Sequence, residues 1–153
     1  MSQPPANEDF AESLRAFRMN RGLSREDLAK KASISRNTLY LIEEGKTNVR
    51  LLTMTRLAAA LKIHPCQFFP TPSDEYRRPT RSLGAKLPHT VATNIKRLRE
   101  SRSLSQNALT ELALLPKGYV SEIERRHPDM TLYVLDSIAE ALGVSVRALL
   151  AST

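Results

Sequence analysis

A chain of 153 residues with 23 Lys and Arg against 16 Asp and Glu carries a formal charge of +7, which points to an anionic partner such as nucleic acid or an acidic surface. Its 41% hydrophobic content can build a core and argues against wholesale disorder, while 5% aromatics supply few rings for stacking unpaired bases. One cysteine excludes an internal disulfide and a multi-cysteine zinc site, and the longest apolar run, Leu57–Leu61, is far too short to span a bilayer. The N-terminus, MSQPPANEDF, has no apolar stretch and reads as no signal peptide, so a cytoplasmic protein with no membrane partner is expected.

Length alone suggests one domain. The chain nevertheless matches itself at an offset of 81, running without a gap from Phe10–Phe69 onto Val91–Leu150, with about 13 of 60 positions identical. The apolar positions agree better: Leu14, Leu28, Leu39, Ile42 and Leu61, for example, fall on Ile95, Leu109, Val120, Ile123 and Leu142.

In chain order, residues 1–9 read as a flexible tail. Apolar residues then recur three or four apart, as in Leu14–Phe17, Leu39–Ile42 and Leu57–Leu61, which is the spacing of one helix face. The first domain, 10–69, therefore reads as five short helices over about 10–21, 25–32, 36–44, 51–61 and 65–69. Residues 70–90 read as a linker, and the second domain, 91–150, repeats the five helices from starts near 91, 106, 117, 132 and 146.

Three helix starts in each repeat carry two apolar residues five positions apart around a candidate cap, such as Leu23-Ser24…Leu28 and Leu104-Ser105…Leu109. This is the hydrophobic-staple spacing, and Ser24 with Asp27 also fits a capping box. Gly22, Gly45 and Gly143 fall just past helix ends, where a left-handed residue is wanted.

Leu23–Lys46 reads as two short helices joined by a tight turn, a helix-turn-helix. Ala29 is small where the helices cross, Ser33 stands at the turn, and Leu39 and Ile42 anchor the second helix. Asn37, Tyr40, Leu41 and Glu44 fall on its opposite face. On these residues, together with Ile42-Glu43-Glu44-Gly45, Leu57-Ala58…Ala60-Leu61 and their counterparts at Ile123-Glu124 and Ile138–Val144, the chain resembles the phage-repressor and Cro-like (XRE) family, in two tandem copies.

The resemblance implies an all-α fold of two tandem five-helix lambda-repressor-like domains. It implies a sequence-specific regulator of transcription, most simply a repressor, that binds double-stranded DNA and comes from a bacterium, phage or mobile element. In that family the third helix lies in the major groove. Arg36, Asn37 and Leu41 match the base-reading positions of repeat one, with Tyr40 on the same face. Arginine suits guanine and asparagine suits adenine. Arg25, Thr38, Lys46 and Asn48 match positions near phosphates, which set affinity and register.

Repeat two departs from the pattern. Its matching residues are Lys117, Gly118 and Glu122, and Gly118 has no side chain with which to read a base. Gln106, Tyr119, Ser121 and Arg125 remain candidates for holding the DNA backbone. Repeat two thus serves either as a second half-site reader or as a dimerisation module, and a homodimer stays open. In the family, residues matching Arg18 with Glu43 and Arg99 with Glu124 form internal ion pairs between helices one and three. An alternative from a different class is an antitoxin-type protein that grips a protein partner and represses its own operon.

Other conspicuous residues carry little. Cys66 two residues after His64 supplies too few ligands for a metal, and His89 and His127 have no predicted partners. No catalytic constellation or phosphate loop can be argued from spacing, so no enzyme activity, cofactor or metal is expected. Arg77, Arg78, Arg81 and Lys86 make the linker basic, which fits a solvated linker or a minor-groove arm. As a flexible coil the 21-residue linker would span about 25 Å and could stretch to roughly 70 Å, enough to place two readers on successive major-groove faces about 34 Å apart. Charge is uneven too: residues 1–69 hold 11 basic and 7 acidic groups, whereas 91–153 hold 8 and 7.

Overall fold

The computed structural model describes residues 5–69 and 86–152, so the basic cluster at Arg77, Arg78 and Arg81 lies outside the described residues. Among these, all regular structure is helical apart from one isolated antiparallel bridge between Arg50 and Thr131. Repeat one comprises α1 (Pro5–Asn20), α2 (Arg25–Lys31), α3 (Arg36–Glu43), α4 (Leu51–Leu61) and a 3-10 turn (Pro65–Phe68). Repeat two comprises α5 (Leu87–Ser101), α6 (Gln106–Leu112), α7 (Tyr119–Arg126), α8 (Leu132–Leu142) and α9 (Val146–Leu150).

The duplication shows in the backbone as well as in the apolar pattern. Gly22 and Ser103, Ser33 and Leu114, and Lys62 and Gly143 are left-handed pairs 81 residues apart, all with φ between +53° and +66°. The turns are therefore retained even where a side chain makes them costly. Every helix start with staple spacing has its inner apolar residue buried and its outer one half-buried, as in Leu28 with Leu23 and Leu109 with Leu104. Ser24 and Asp27 form the expected capping box.

The first helix of each repeat begins earlier than the sequence reading placed it. α1 starts at Pro5, inside the expected tail, with Ala6 and Phe10 buried; α5 starts at Leu87, inside the expected linker, with Leu87 and Pro88 buried. Ala6–Phe10–Leu14 and Leu87–Val91–Ile95 continue the four-residue spacing, and Pro88 occupies the first turn, where a missing N–H costs nothing.

A second difference is larger. The repeats are in direct contact rather than held apart on a tether: α1 packs on α8, α4 on α5, and the 3-10 turn on α9. Phe10, Leu51 and Leu61 share one continuous core with Leu87, Leu132 and Leu150. The coil span of the linker does not set the separation of the two halves.

One contact in this packing is unfavourable. The Asp136 carboxyl on α8 is half-buried, and its pKa is pushed above the ordinary aspartate range by burial, then by Glu140, then by Asp9 on α1. A carboxyl held higher in the folded state contributes stability below its unfolded pKa and loses it as pH rises through the folded value. Asp136→Asn should therefore raise the thermal midpoint at neutral pH, and the gain should vanish below the ordinary aspartate pKa. Thermal denaturation of both proteins at the two pH values checks this.

Candidate nucleic-acid interface

The third helix of repeat one is built from its cap outward. Ser35 accepts from the Thr38 backbone N–H at 3.0 Å, which starts α3 at Arg36, and Ser33 in the left-handed conformation turns the chain between α2 and α3. Leu39 and Ile42 are buried, so α3 is clamped through one face. Its other face presents Arg36, Asn37 and Tyr40 to solvent, with Leu41 half-buried. Among the described residues neither Arg36 nor Asn37 has a side-chain partner, and both lie in the first turn, where backbone N–H groups favour an anion.

Behind that face lies a buried carboxylate. Glu43 has a fully buried side chain and receives Arg18 Nε at 2.5 Å, Arg18 Nη2 at 3.2 Å and Arg25 Nε at 2.6 Å. Burial alone would raise its pKa; hydrogen bonds from Arg18 and Arg25 outweigh that and hold it below the usual glutamate range. Arg18 also donates to the Leu23 carbonyl at 2.9 Å, so one guanidinium ties α1, the entry to α2 and the end of α3 together. Arg25 continues outward: its guanidinium lies 5.3 Å from the centre of the Tyr40 ring, and the Lys46 ammonium lies 5.7 Å from the same ring. Cation–π contact thus gathers two cations beside Tyr40.

Repeat two reproduces the buried pair but not the face. Glu124 receives Arg99 Nε at 2.7 Å and Gln106 Nε2 at 2.8 Å, the counterparts of Arg18 and Arg25. The third helix itself is displaced. α3 and α7 both have eight residues, yet α7 starts two positions later and ends two positions later in the aligned numbering. Pro116 replaces the capping Ser35 and offers no side-chain acceptor, so α7 begins instead after Gly118, whose φ of +80° only glycine adopts cheaply. The exit shifts too, because Arg126 replaces Gly45 and His127 takes the left-handed position. Lys117 consequently lies in a turn before α7 and not on the helix that the sequence placed it on.

The remaining expected residues fall as follows. Thr38 is half-buried, with its hydroxyl 2.7 Å from that of Ser35. Glu122 and Arg125 are exposed, in the first and last turns of α7, whereas Tyr119 packs against the core and Ser121 is half-buried. Gln106 is engaged with Glu124. Asn48 departs most from expectation: its Oδ1 accepts from the Tyr133 backbone N–H at 3.1 Å, in the other repeat. Leu112 and Leu114 are exposed where repeat one has Lys31 and Ser33, so this edge of repeat two is more apolar and less cationic.

Sequence reasoning missed Asp129, whose Oδ1 accepts from Leu52 N–H at 2.9 Å, and Arg147, which donates to the Cys66 and Phe69 carbonyls. An Asx residue shortly before each fourth helix was the only available signal. His89 and His127, unpaired on sequence, approach to 3.3 Å between their Nδ1 atoms. His64 Nδ1 caps the 3-10 turn by accepting from Cys66 N–H, and burial pushes the Cys66 thiol up, which favours the protonated form. No group of three or more His, Cys, Asp or Glu that could hold a metal ion occurs among the described residues, and no described helix is long and apolar enough to cross a membrane.

Comparison with known proteins agrees with this geometry. The helix-turn-helix family model matches residues 14–68 and again 95–149. The chain is 40% identical over 60 residues to the immunity repressor protein of Bacillus phage phi105, covering 39% of this chain and 42% of that protein. It is 37% identical over 60 residues to the control protein C.SmaI of Serratia marcescens, covering 39% and 71%. It is 31% identical over 77 residues to a hypothetical transcription factor of Neisseria meningitidis, covering 50% and 73%. This chain thus spans less than half the length of the phage repressor.

The two buried carboxylates differ in what remains when one partner is removed. Arg18→Ala leaves Glu43 paired with Arg25, whereas Arg99→Ala leaves Glu124 hydrogen-bonded to neutral Gln106, with only the more distant charge of Lys96 near it. Arg99→Ala should cost about 3–5 kcal/mol of unfolding free energy and Arg18→Ala clearly less. Urea denaturation of the two variants should show that order. Because both carboxyl pKa values are depressed, these contributions should be present above the ordinary glutamate pKa and fade as pH falls through the folded values.

Proposed function

The chain belongs to the helix-turn-helix family of DNA-binding transcriptional regulators, and from that premise we propose that it is a repressor whose principal reader is α3. The observation that carries this reading is the displacement of α7 relative to α3. A third helix reads bases with its first turn. In repeat one that turn holds Arg36 and Asn37, both exposed and unengaged among the described residues, on a helix clamped from behind by Glu43. In repeat two the equivalent positions lie outside the helix, at Lys117 and Gly118.

The roles divide by chemistry. Arg36 would give two parallel hydrogen bonds to a guanine, Asn37 would pair with an adenine, and Tyr40 and Leu41 would pack along the same groove. Thr38, Lys46 and Arg25 would meet phosphates, Arg25 and Lys46 already being gathered beside Tyr40. Repeat two would contribute a weaker half-site through Lys117, Tyr119, Ser121, Glu122 and Arg125. Repression by occluding a promoter is the simplest mechanism for such a module, and the phage relative is named as an immunity repressor.

In a binding assay on a selected duplex, Arg36→Ala should cost about 1–3 kcal/mol and relax preference at one base pair. Lys117→Ala should weaken all sequences alike by a smaller amount and reduce the salt dependence of binding. An unchanged sequence preference in Arg36→Ala would remove that residue from the reading face.

A further inference from the structure

The two repeats meet through contacts that exchange with one another under the offset of 81. Val49 carbonyl accepts from Leu132 N–H at 2.7 Å, and Met130 carbonyl accepts from Leu51 N–H at 2.9 Å. Asn48 Oδ1 accepts from Tyr133 N–H, and Asp129 Oδ1 accepts from Leu52 N–H. Adding 81 to one member of each pair and subtracting it from the other gives the second contact in every case. Helix packing obeys the same exchange, α1 on α8 and α5 on α4. Such reciprocity is what an isologous, two-fold interface between identical subunits shows. Here both sides belong to one chain.

From this reciprocity we propose that a single chain carries its own two-fold joint and binds, as a monomer, a duplex DNA site of two unlike half-sites at one fixed separation. The proposal rests on the DNA-reading function above and adds the kind of site and the stoichiometry.

Separation of the repeats would be costly. Leu51 and Leu132 are fully buried, and the first-turn amides of α4 and α8 would lose their acceptors together. Arginine side chains add to the joint. Arg50 Nη1 donates to the Asp129 carbonyl, and Arg147 Nη1 donates to the Cys66 and Phe69 carbonyls. The residues equivalent to these arginines are Thr131 and Cys66, so these ties are the part of the joint that does not exchange between the repeats.

Spacing follows from chain length. α3 ends seven residues before Arg50 and α7 ends five residues before Thr131, and those two residues bridge. At about 3.4 Å per residue plus about 5 Å across the bridge, the ends of the two third helices lie within about 45 Å. That range includes the separation of about 34 Å between successive major-groove faces. The half-sites differ because Arg36, Asn37 and Leu41 face one and Lys117, Gly118 and Glu122 the other.

The full chain is tested with and without DNA. Without DNA, light scattering should give the mass of one chain, and hydrogen exchange should show Leu51 and Leu132 amides protected; Asn48→Ala with Asp129→Ala should weaken that protection. With a site selected from random duplexes, complexes should contain one chain per duplex. Inserting half a helical turn (about five base pairs) between the half-sites should lower affinity tenfold or more, with recovery at a full turn for a second chain only. Unprotected amides would overturn the joint, and a dimeric mass at the binding concentration would overturn binding as a monomer, whatever DNA does. Equal affinity for the interrupted site would overturn fixed spacing and leave the regulator intact. Selection of no duplex at all, with amides protected, would overturn the DNA-reading function and this inference with it.

Discussion

The amides of a helix's first turn have no partner within the helix, and in a chain this small most of those turns are close to the core. How each helix meets that demand explains most of what distinguishes this molecule. α2, α3, α6 and α9 are capped by their own Ser24, Ser35, Ser105 and Ser145, a local solution worth about 1 kcal/mol each. α7 has no such cap, because Pro116 occupies the place of Ser35, and its start slides to Gly118. α4 and α8 take additional acceptors from the opposite repeat, through Asp129 and Asn48. One requirement therefore sets the register of the third helix in one half, displaces it in the other, and joins the halves.

Charge is organised by the same economy of partners. A buried glutamate in each half would be expensive alone, and Arg18 or Arg99 makes it tolerable while holding the first helix to the third. In repeat one the carboxylate has a second cation, Arg25, which passes the network outward to Tyr40 and Lys46 at the exposed edge of α3. In repeat two Gln106 takes that place and the chain of charge stops at Glu124. The greater positive charge of residues 1–69 is thus placed where α3 would approach a phosphate backbone, and the second half keeps the fold with less of the electrostatics.

Much of this was legible in the residues. The five-helix order, the α4 limits at Leu51 and Leu61, the capping box at Ser24 and the turn at Ser33 depend on spacings or residue types within a few positions, whereas the Arg–Glu pairs, whose members lie 25 residues apart, were implied by the family resemblance. The early starts of α1 and α5 were readable from Ala6 and Leu87 but hidden by neighbouring prolines. The displacement of α7 had a local signal in Pro116 and Gly118, which supply neither the cap of Ser35 nor the side chain of Asn37.

The sequence by itself determined the repeat, the all-helical class and which face of the third helix repeat one exposes, because amphipathic spacing and capping act over three to five residues. Only the tertiary structure decided that the halves form one body, that Asn48 serves the joint, and that the tether does not govern their separation. Those outcomes rest on carbonyls and amides of residues 77 to 85 positions apart, such as Leu52 with Asp129 and Tyr133 with Asn48. A backbone amide is the same in nearly every residue, so its long-range partner leaves almost no mark on the sequence that supplies it.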